Sequence, residues 1–177
     1  SWGDLAETVR SGRNGFERIH GLPYFEYYAQ KPDEYAVFNG AMGADAAGVA
    51  PSLAKGYDFS WCTTVVDVGG GNGSLLAEVL SAHPHLRGVV FDRAEGVAEA
   101  TPLLDSKGVA DRCEVAAGNA FESVAGGDLY VIKSVLHDWD DDSVRKILGN
   151  IRAVLPDQGR VVVMEPLMPS DDADLGP

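Results

Sequence analysis

The sequence predicts an α/β domain with a doubly wound, mostly parallel sheet, preceded by a short helical segment. Three observations carry this expectation. Over residues 61–177, short β-branched runs ("TTVVDV", "RGVVFD", "CEVAAGN", "DLYVIKSV", "GRVVVMEPL") alternate with helix-like segments ("GSLLAEVLSAH", "AEGVAEATPLLDSKG", "DDSVRKILGNIRAVL"). The strand runs are apolar along their whole length, the pattern of strands buried on both faces. The first run ends in glycines that lead straight into a helix, "VVDVGGGNGS", and sheets of this kind bind ligands beyond the carboxyl ends of their strands.

Residues 1–60 differ in character. Aromatics such as Phe16, Tyr24, Tyr28, Tyr35 and Phe38 are interspersed with polar residues, and Pro23 and Pro32 act as breaks. Apolar residues recur there at helical spacing without strand alternation, which predicts helices near 1–11, 24–30 and 33–54. The organisation expected is a helical segment over 1–60 and a cofactor-binding domain over 61–177.

Composition narrows the function classes. At 177 residues the chain is long enough for a real core, and 45% hydrophobic residues with a mean hydropathy near zero describe a globular protein. A net charge of −13, without a Lys/Arg cluster, disfavours nucleic acid and anionic membranes as partners and favours a cationic small molecule. The two cysteines, Cys62 and Cys113, form no CxxC pair and no histidine has metal-ligand spacing. A cytoplasmic protein without a metal site is therefore expected. No apolar run reaches the length of a membrane span and no signal peptide is evident. The chain opens on Ser rather than Met, so it is read as a piece of a longer one.

The glycine stretch is the first candidate binding element. Asp67 lies inside the first strand; Gly69, Gly70, Gly71 and Gly73 follow, and a helix begins near Ser74. Glycines there permit positive φ and close backbone approach, while free N–H groups at the helix start favour a negative ligand group. The spacing is G-x-G-x-G rather than the G-x-G-x-x-G/A of dinucleotide sites. Asp92, at the end of the second strand and 23 residues after Gly69, can accept two hydrogen bonds from a ribose diol, an arrangement that NAD and S-adenosylmethionine sites share. It could instead cap a helix starting near Ala94. After the third strand, the Asn119 carboxamide oxygen can accept from an adenine amine, with Ala120 or Phe121 against the purine; equally, Gly-Asn is a common turn and Phe121 a core residue.

With "DVGGGNG", "FD", "LHDWDDD" and "VVVMEPLMP" in this order, and "GLPYFEYYAQKPDEYAVFNGAM" and "GYDFS" upstream, the chain resembles the S-adenosylmethionine-dependent O-methyltransferases. That family includes plant caffeate and flavonoid enzymes and bacterial polyketide-tailoring ones. The resemblance implies a Rossmann-like methyltransferase fold and S-adenosylmethionine as cofactor. Its methionine end would lie on Gly69, Gly70, Gly71 and Gly73, its ribose on Asp92 and its adenine at Asn119 and Ala120, with Asp67 also among the cofactor-binding residues. Lys133 matches a cofactor-contacting position, His137 the catalytic base and Glu165 the acid that orients it. Phe38 and Met42 fall where the family lines its substrate pocket, and Trp139 either touches substrate or packs.

Departures from the pattern also matter. The adenine position is usually Asp and here is Asn119, which keeps an acceptor and removes a charge. The family's N-terminal winged-helix dimerisation domain has no counterpart in these residues, nor do the last two strands and a second acid beside the histidine. The full-length protein is accordingly expected to be a homodimer, and the fifth strand to present an exposed apolar edge. The function implied is methyl transfer from S-adenosylmethionine to an aromatic hydroxyl of a phenolic or polyketide molecule. The alternatives are a relative of the same fold that hydroxylates or decarboxylates, and an NAD-dependent oxidoreductase.

In "VLHDWDDD", His137 stands just past a central strand, whereas Asp140 or Asp141 is placed to cap the next helix and acids in its first turn suit the helix dipole. His83 and His85, after a helix, are expected at the surface.

Overall fold

The computed structural model describes residues 2–167, and of Trp2 only the backbone. Ser1 of the first expected helix, and the sequence from Met168 through Pro177 that ends the last motif and the 61–177 domain, lie outside the described residues.

The described residues form two compact units, one up to Ala41 and one from Met42 onward. The first holds a 3₁₀ turn (Trp2–Asp4), α1 (Leu5–Ser11), α2 (Gly15–His20), α3 (Tyr24–Ala29) and the start of α4 (Pro32–Gly56). Helix α2 was not expected. Its sequence signal is Asn14, whose side chain accepts from the N–H groups of Phe16 (2.9 Å) and Glu17 (3.3 Å) and so satisfies the helix start. The aromatics of this unit contact one another: Phe16 meets Tyr24 and Tyr27 edge-on, and Tyr28 stacks on Phe38 with centroids 5.3 Å apart.

The second unit is built on five parallel strands, β1 (Thr64–Val68), β2 (Arg87–Asp92), β3 (Cys113–Ala117), β4 (Leu129–Lys133) and β5 (Arg160–Met164), in the order β3-β2-β1-β4-β5. The chain builds outward from β1 to β3, then returns to the other side of β1 for β4, so the direction reverses between β1 and β4. Because strand side chains alternate between faces, neighbours in sequence enter different cores. Val65, Val90 and Val131 pack with α5 (Ser74–Ala82), α6 (Ala100–Ser106) and the second half of α4, whereas Val66, Val89, Tyr130 and Ile132 pack with Ile147 and Ile151 of α7 (Asp141–Val154). Both faces are covered, as the unbroken apolar strands predict. Among the described residues β5 forms an edge, with Val161 and Val163 exposed.

Two expectations are corrected here. His83 is half-buried, its Nε2 2.8 Å from the Ala54 carbonyl oxygen, so its ring ties down backbone instead of facing water alone, whereas His85 is exposed as expected, with its Nε2 3.2 Å from the Phe59 carbonyl oxygen. No helix starts near Ala94: residues 94–96 are a turn, and Asp92 caps none. Asp140 does cap α7, its Oδ1 accepting from Ser143 N–H at 2.8 Å.

Candidate active site

The crevice between the carboxyl ends of β1 and β4, where the strand order reverses, is where open parallel sheets bind ligands. The glycine stretch forms its β1 side. Gly69, Gly71 and Gly73 have φ of 75°, 53° and 79°, a region that side chains disfavour. A Cβ on Gly69 would also lie 2.5 Å from Val135 Cγ2. The turn is closed by Gly69 N–H and Gly70 N–H donating to Phe91 O, and by Gly73 N–H donating to Gly70 O. Asp92 joins β2 to it: Oδ2 accepts from Gly71 N–H at 2.9 Å and Oδ1 from Arg93 N–H at 2.6 Å. Burial pushes its carboxyl above the usual range, against those two hydrogen bonds.

Asp67 is 3% exposed, and its Oδ2 has no hydrogen-bond partner among the described residues. Burial first, and then repulsion by Asp92, push its carboxyl up to about 7, while Lys133 opposes the rise. Lys133, at the end of β4, is paired with Asp45 of α4.

On the far side of β1, Ser134 adopts φ 54° immediately after β4 and turns the chain into a 3₁₀ segment, Leu136–Asp138. Glu165, just past β5, holds that segment with both oxygens. Oε1 accepts from Val135 N–H (3.0 Å) and Leu136 N–H (2.9 Å), while Oε2 lies 2.5 Å from His137 Nδ1. The hydrogen bond to Glu165 raises the His137 pKa, with burial opposing it and the Asp138 charge adding to it. Burial lifts the Glu165 carboxyl, but the His137, Leu136 and Val135 donors outweigh it and hold the group below its ordinary value. The Asp138 carboxylate is 3.6 Å from His137 Nε2, and half of the His137 side chain faces solvent.

The other predicted residues are placed as follows. Asn119 Oδ1 accepts from Phe121 N–H at 3.0 Å and its Nδ2 donates to Glu122, so it forms a turn of its own while keeping a second lone pair. Ala120 is half-buried, and its carbonyl is held by Asn150 Nδ2 of α7 at 2.8 Å. Trp139 meets Phe121 edge-on, centroids 4.7 Å apart. Phe38 lies in the aromatic set of the first unit, and Met42, one turn along α4, is exposed. Sequence reasoning missed Asp45, Asn150 and Asp128. The last accepts from Thr63 N–H, Thr63 Oγ1 and Thr64 N–H on one oxygen. Among the described residues no group of three or more His, Cys, Asp or Glu could hold a metal ion, and no helix is long and apolar enough to cross a membrane.

The fold and site define a doubly wound α/β protein with a glycine-lined crevice at its switch point and an acid-paired histidine beside it. The model of the O-methyltransferase domain matches residues 2–175, and the chain belongs to that family. O-demethylpuromycin-O-methyltransferase of Streptomyces alboniger is 43% identical over 172 residues, 96% of this chain and 46% of its own length. The structure of the mitomycin 7-O-methyltransferase superposes with a TM-score of 0.91 at 41% identity, covering 96% of this chain and 50% of that one. An O-methyltransferase of neocarzinostatin biosynthesis, crystallised with S-adenosylmethionine and 2-hydroxy-5-methyl naphthoic acid, superposes with a TM-score of 0.85 at 32% identity, covering 92% and 50%. The chain spans about half the length of the curated relatives it matches.

Proposed function

We propose that this chain carries the cofactor site and catalytic base of an enzyme that transfers a methyl group from S-adenosylmethionine to a hydroxyl of an aromatic small molecule. The observation that carries the reading is the His137–Glu165 pair at the ends of β4 and β5, beside a glycine-lined crevice. The family and the relatives' names support the reaction class and the aromatic acceptor.

The residues present fit the cofactor. Each Asp92 oxygen holds one backbone N–H and retains a lone pair for a ribose hydroxyl. The Asn119 carbonyl has one lone pair left for an adenine amine, with Ala120 alongside. Asp67 offers a carboxyl, and Gly69, Gly70, Gly71 and Gly73 open backbone, to the methionine end; Lys133 stands at the same strand end. When bound, S-adenosylmethionine supplies a methyl group on a sulfonium that leaves as a neutral thioether.

His137 then removes the acceptor's proton. Glu165 holds Nδ1–H, which leaves Nε2 as the base, and its charge stabilises the imidazolium that forms. An ordinary phenol and imidazole differ by roughly 3.5 pKa units, so complete transfer before attack is uphill by about 5 kcal/mol. The raised His137 pKa narrows that gap, and proton removal accompanies attack. Holding both reactants in line supplies more, up to roughly 7–11 kcal/mol in the best intramolecular cases. The acceptor contacts proposed are Phe38, Met42 and Trp139, and the intact enzyme is proposed to be a homodimer, which sedimentation of the longer protein checks.

Calorimetric titration of the chain with S-adenosylmethionine, its demethylated product and NAD tests the cofactor; tighter NAD binding overturns the reading. In the intact enzyme, His137→Ala is expected to lower methylation of a phenol at least about tenfold with cofactor affinity nearly unchanged. Equal activity in that variant removes His137 as the base.

A further inference from the structure

Sheet register brings three charged side chains to one face. Asp67 of β1 pairs with Val90 of β2 and Val131 of β4, and Asp92 and Lys133 lie two residues further along those strands. All three therefore project from the same face at the carboxyl end of the sheet. Asp92 and Lys133 each stand on a strand next to Asp67, roughly 4.8 Å away in the hydrogen-bonding direction and two residues further along, a separation that a long side chain bridges. Lys133 is the cation within reach of Asp67, yet its ammonium is paired with Asp45 across the crevice edge. Lys133 is 12% and Asp45 60% exposed at the side chain, so this pairing leaves one carboxylate in water instead of burying two. The seat of Asp45 is fixed by packing. Gly43, two residues earlier, is buried, and a Cβ there would lie 2.2 Å from Asn72 Nδ2 of the glycine stretch, so α4 rests on that stretch with no room to spare.

Asp67 is thus a carboxyl buried without a cation of its own. Asp92 faces it from β2 and repels its charge, Lys133 favours its charge from β4 but is engaged by Asp45 of α4, and the thiol of Cys113 lies on the same face of the sheet two strands away, on β3. We propose that Asp45 is a positioning residue of the cofactor site. Its carboxylate holds the Lys133 ammonium off Asp67, so that Asp67 keeps a proton in the ligand-free protein and releases it to solvent when the cationic end of the cofactor arrives. The O–H bond of the Asp67 carboxyl breaks, the proton goes to buffer, and the carboxylate is left opposite the ligand's positive charge; nothing is oxidised or reduced. The proposal rests on the S-adenosylmethionine reading above.

Proton release is read from the dependence of the calorimetric binding enthalpy on the ionisation enthalpy of the buffer. At about pH 7 the wild-type chain is expected to release about half a proton on binding S-adenosylmethionine, since Asp67 is then half protonated. Asp67→Asn removes that release. Asp45→Asn frees Lys133 to neutralise Asp67 beforehand, so release falls to near zero although Asp67 is present; Asp45→Glu restores it. The double variant Asp45→Asn, Lys133→Met also restores it, because no ammonium remains to ionise Asp67, which separates the proposal from a general loosening of the site. Ligand-free melting curves establish that each variant is folded. Binding to wild type with an unchanged proton count in folded Asp45→Asn overturns the proposal alone. Absence of wild-type binding overturns the cofactor reading and the proposal with it.

Discussion

Glu165 divides its two oxygens between backbone and imidazole, and that division lets its structural part be tested apart from the catalytic one proposed for it. In Glu165→Gln the amide oxygen can still accept from Val135 and Leu136 N–H, while His137 loses its carboxylate. A raised histidine pKa keeps the ring protonated to higher pH, so methylation by the intact enzyme should fall as pH drops through that value. The variant should therefore titrate His137 at lower pH, followed by the ring NMR signals, and shift the acidic limb of the pH–rate profile the same way. An unchanged ring titration would mean that Glu165 serves the backbone only. The glycine stretch was legible because it follows the first strand run and leads into a helix, whereas the His137–Glu165 pairing was legible only through the family resemblance, since no spacing in the sequence joins two residues that far apart. Asp45 was not: its partner is 88 residues away, and nothing local to α4 marks an acid that answers a lysine on β4. Asn119 was legible only as an alternative, since the same carboxamide builds a turn or meets a purine.

At the scale of elements, the apolar runs located the five strands of the described residues, and "DDDSVRKIL" located α7 and, as Asp140 or Asp141, its cap, which is Asp140. Helix α2 escaped because Gly12, Gly15 and Gly21 punctuate "SGRNGFERIHG" like a loop, while the Asn14 cap and Glu17 three residues later carried the opposite message. Asn14→Ala should cost about 1 kcal/mol at that helix, seen as faster amide exchange over α2 with the sheet unaffected. Nothing in the sequence marks Asp128, an acid just before a strand, as a structural residue. Here one of its oxygens collects three donors from the entry of β1 and joins that entry to β4. Asp128→Ala should lower unfolding free energy by about 2 kcal/mol, and Asp128→Asn by less because its carbonyl still accepts; equal losses in denaturant melts would point to packing instead.

For the molecule as a whole, titrating carboxyls act in opposite directions on stability. Glu165 and Asp128, where donors outweigh burial and hold the carboxyls low, stabilise the fold above their ordinary pKa, and that contribution is lost as pH falls through the depressed folded values. Asp67 runs the other way. Its folded pKa of about 7 lies above the ordinary 3.8, so the folded chain keeps a proton that the unfolded chain has released. Its contribution is complete below about pH 4, declines as pH rises through 7, and is level beyond. With a net charge of −13, the chain gains no offsetting relief from further ionisation over that range. Asp67→Asn is neutral at every pH, so any cost of fitting the amide is a constant offset, and the informative quantity is the slope. The unfolding free energy of the variant relative to wild type should rise by roughly 2–3 kcal/mol between about pH 5 and pH 8, measured by urea melts in the absence of ligand. A difference that stays flat over that interval would mean that Asp67 is already ionised in the free protein, with its charge balanced by Lys133 in spite of Asp45.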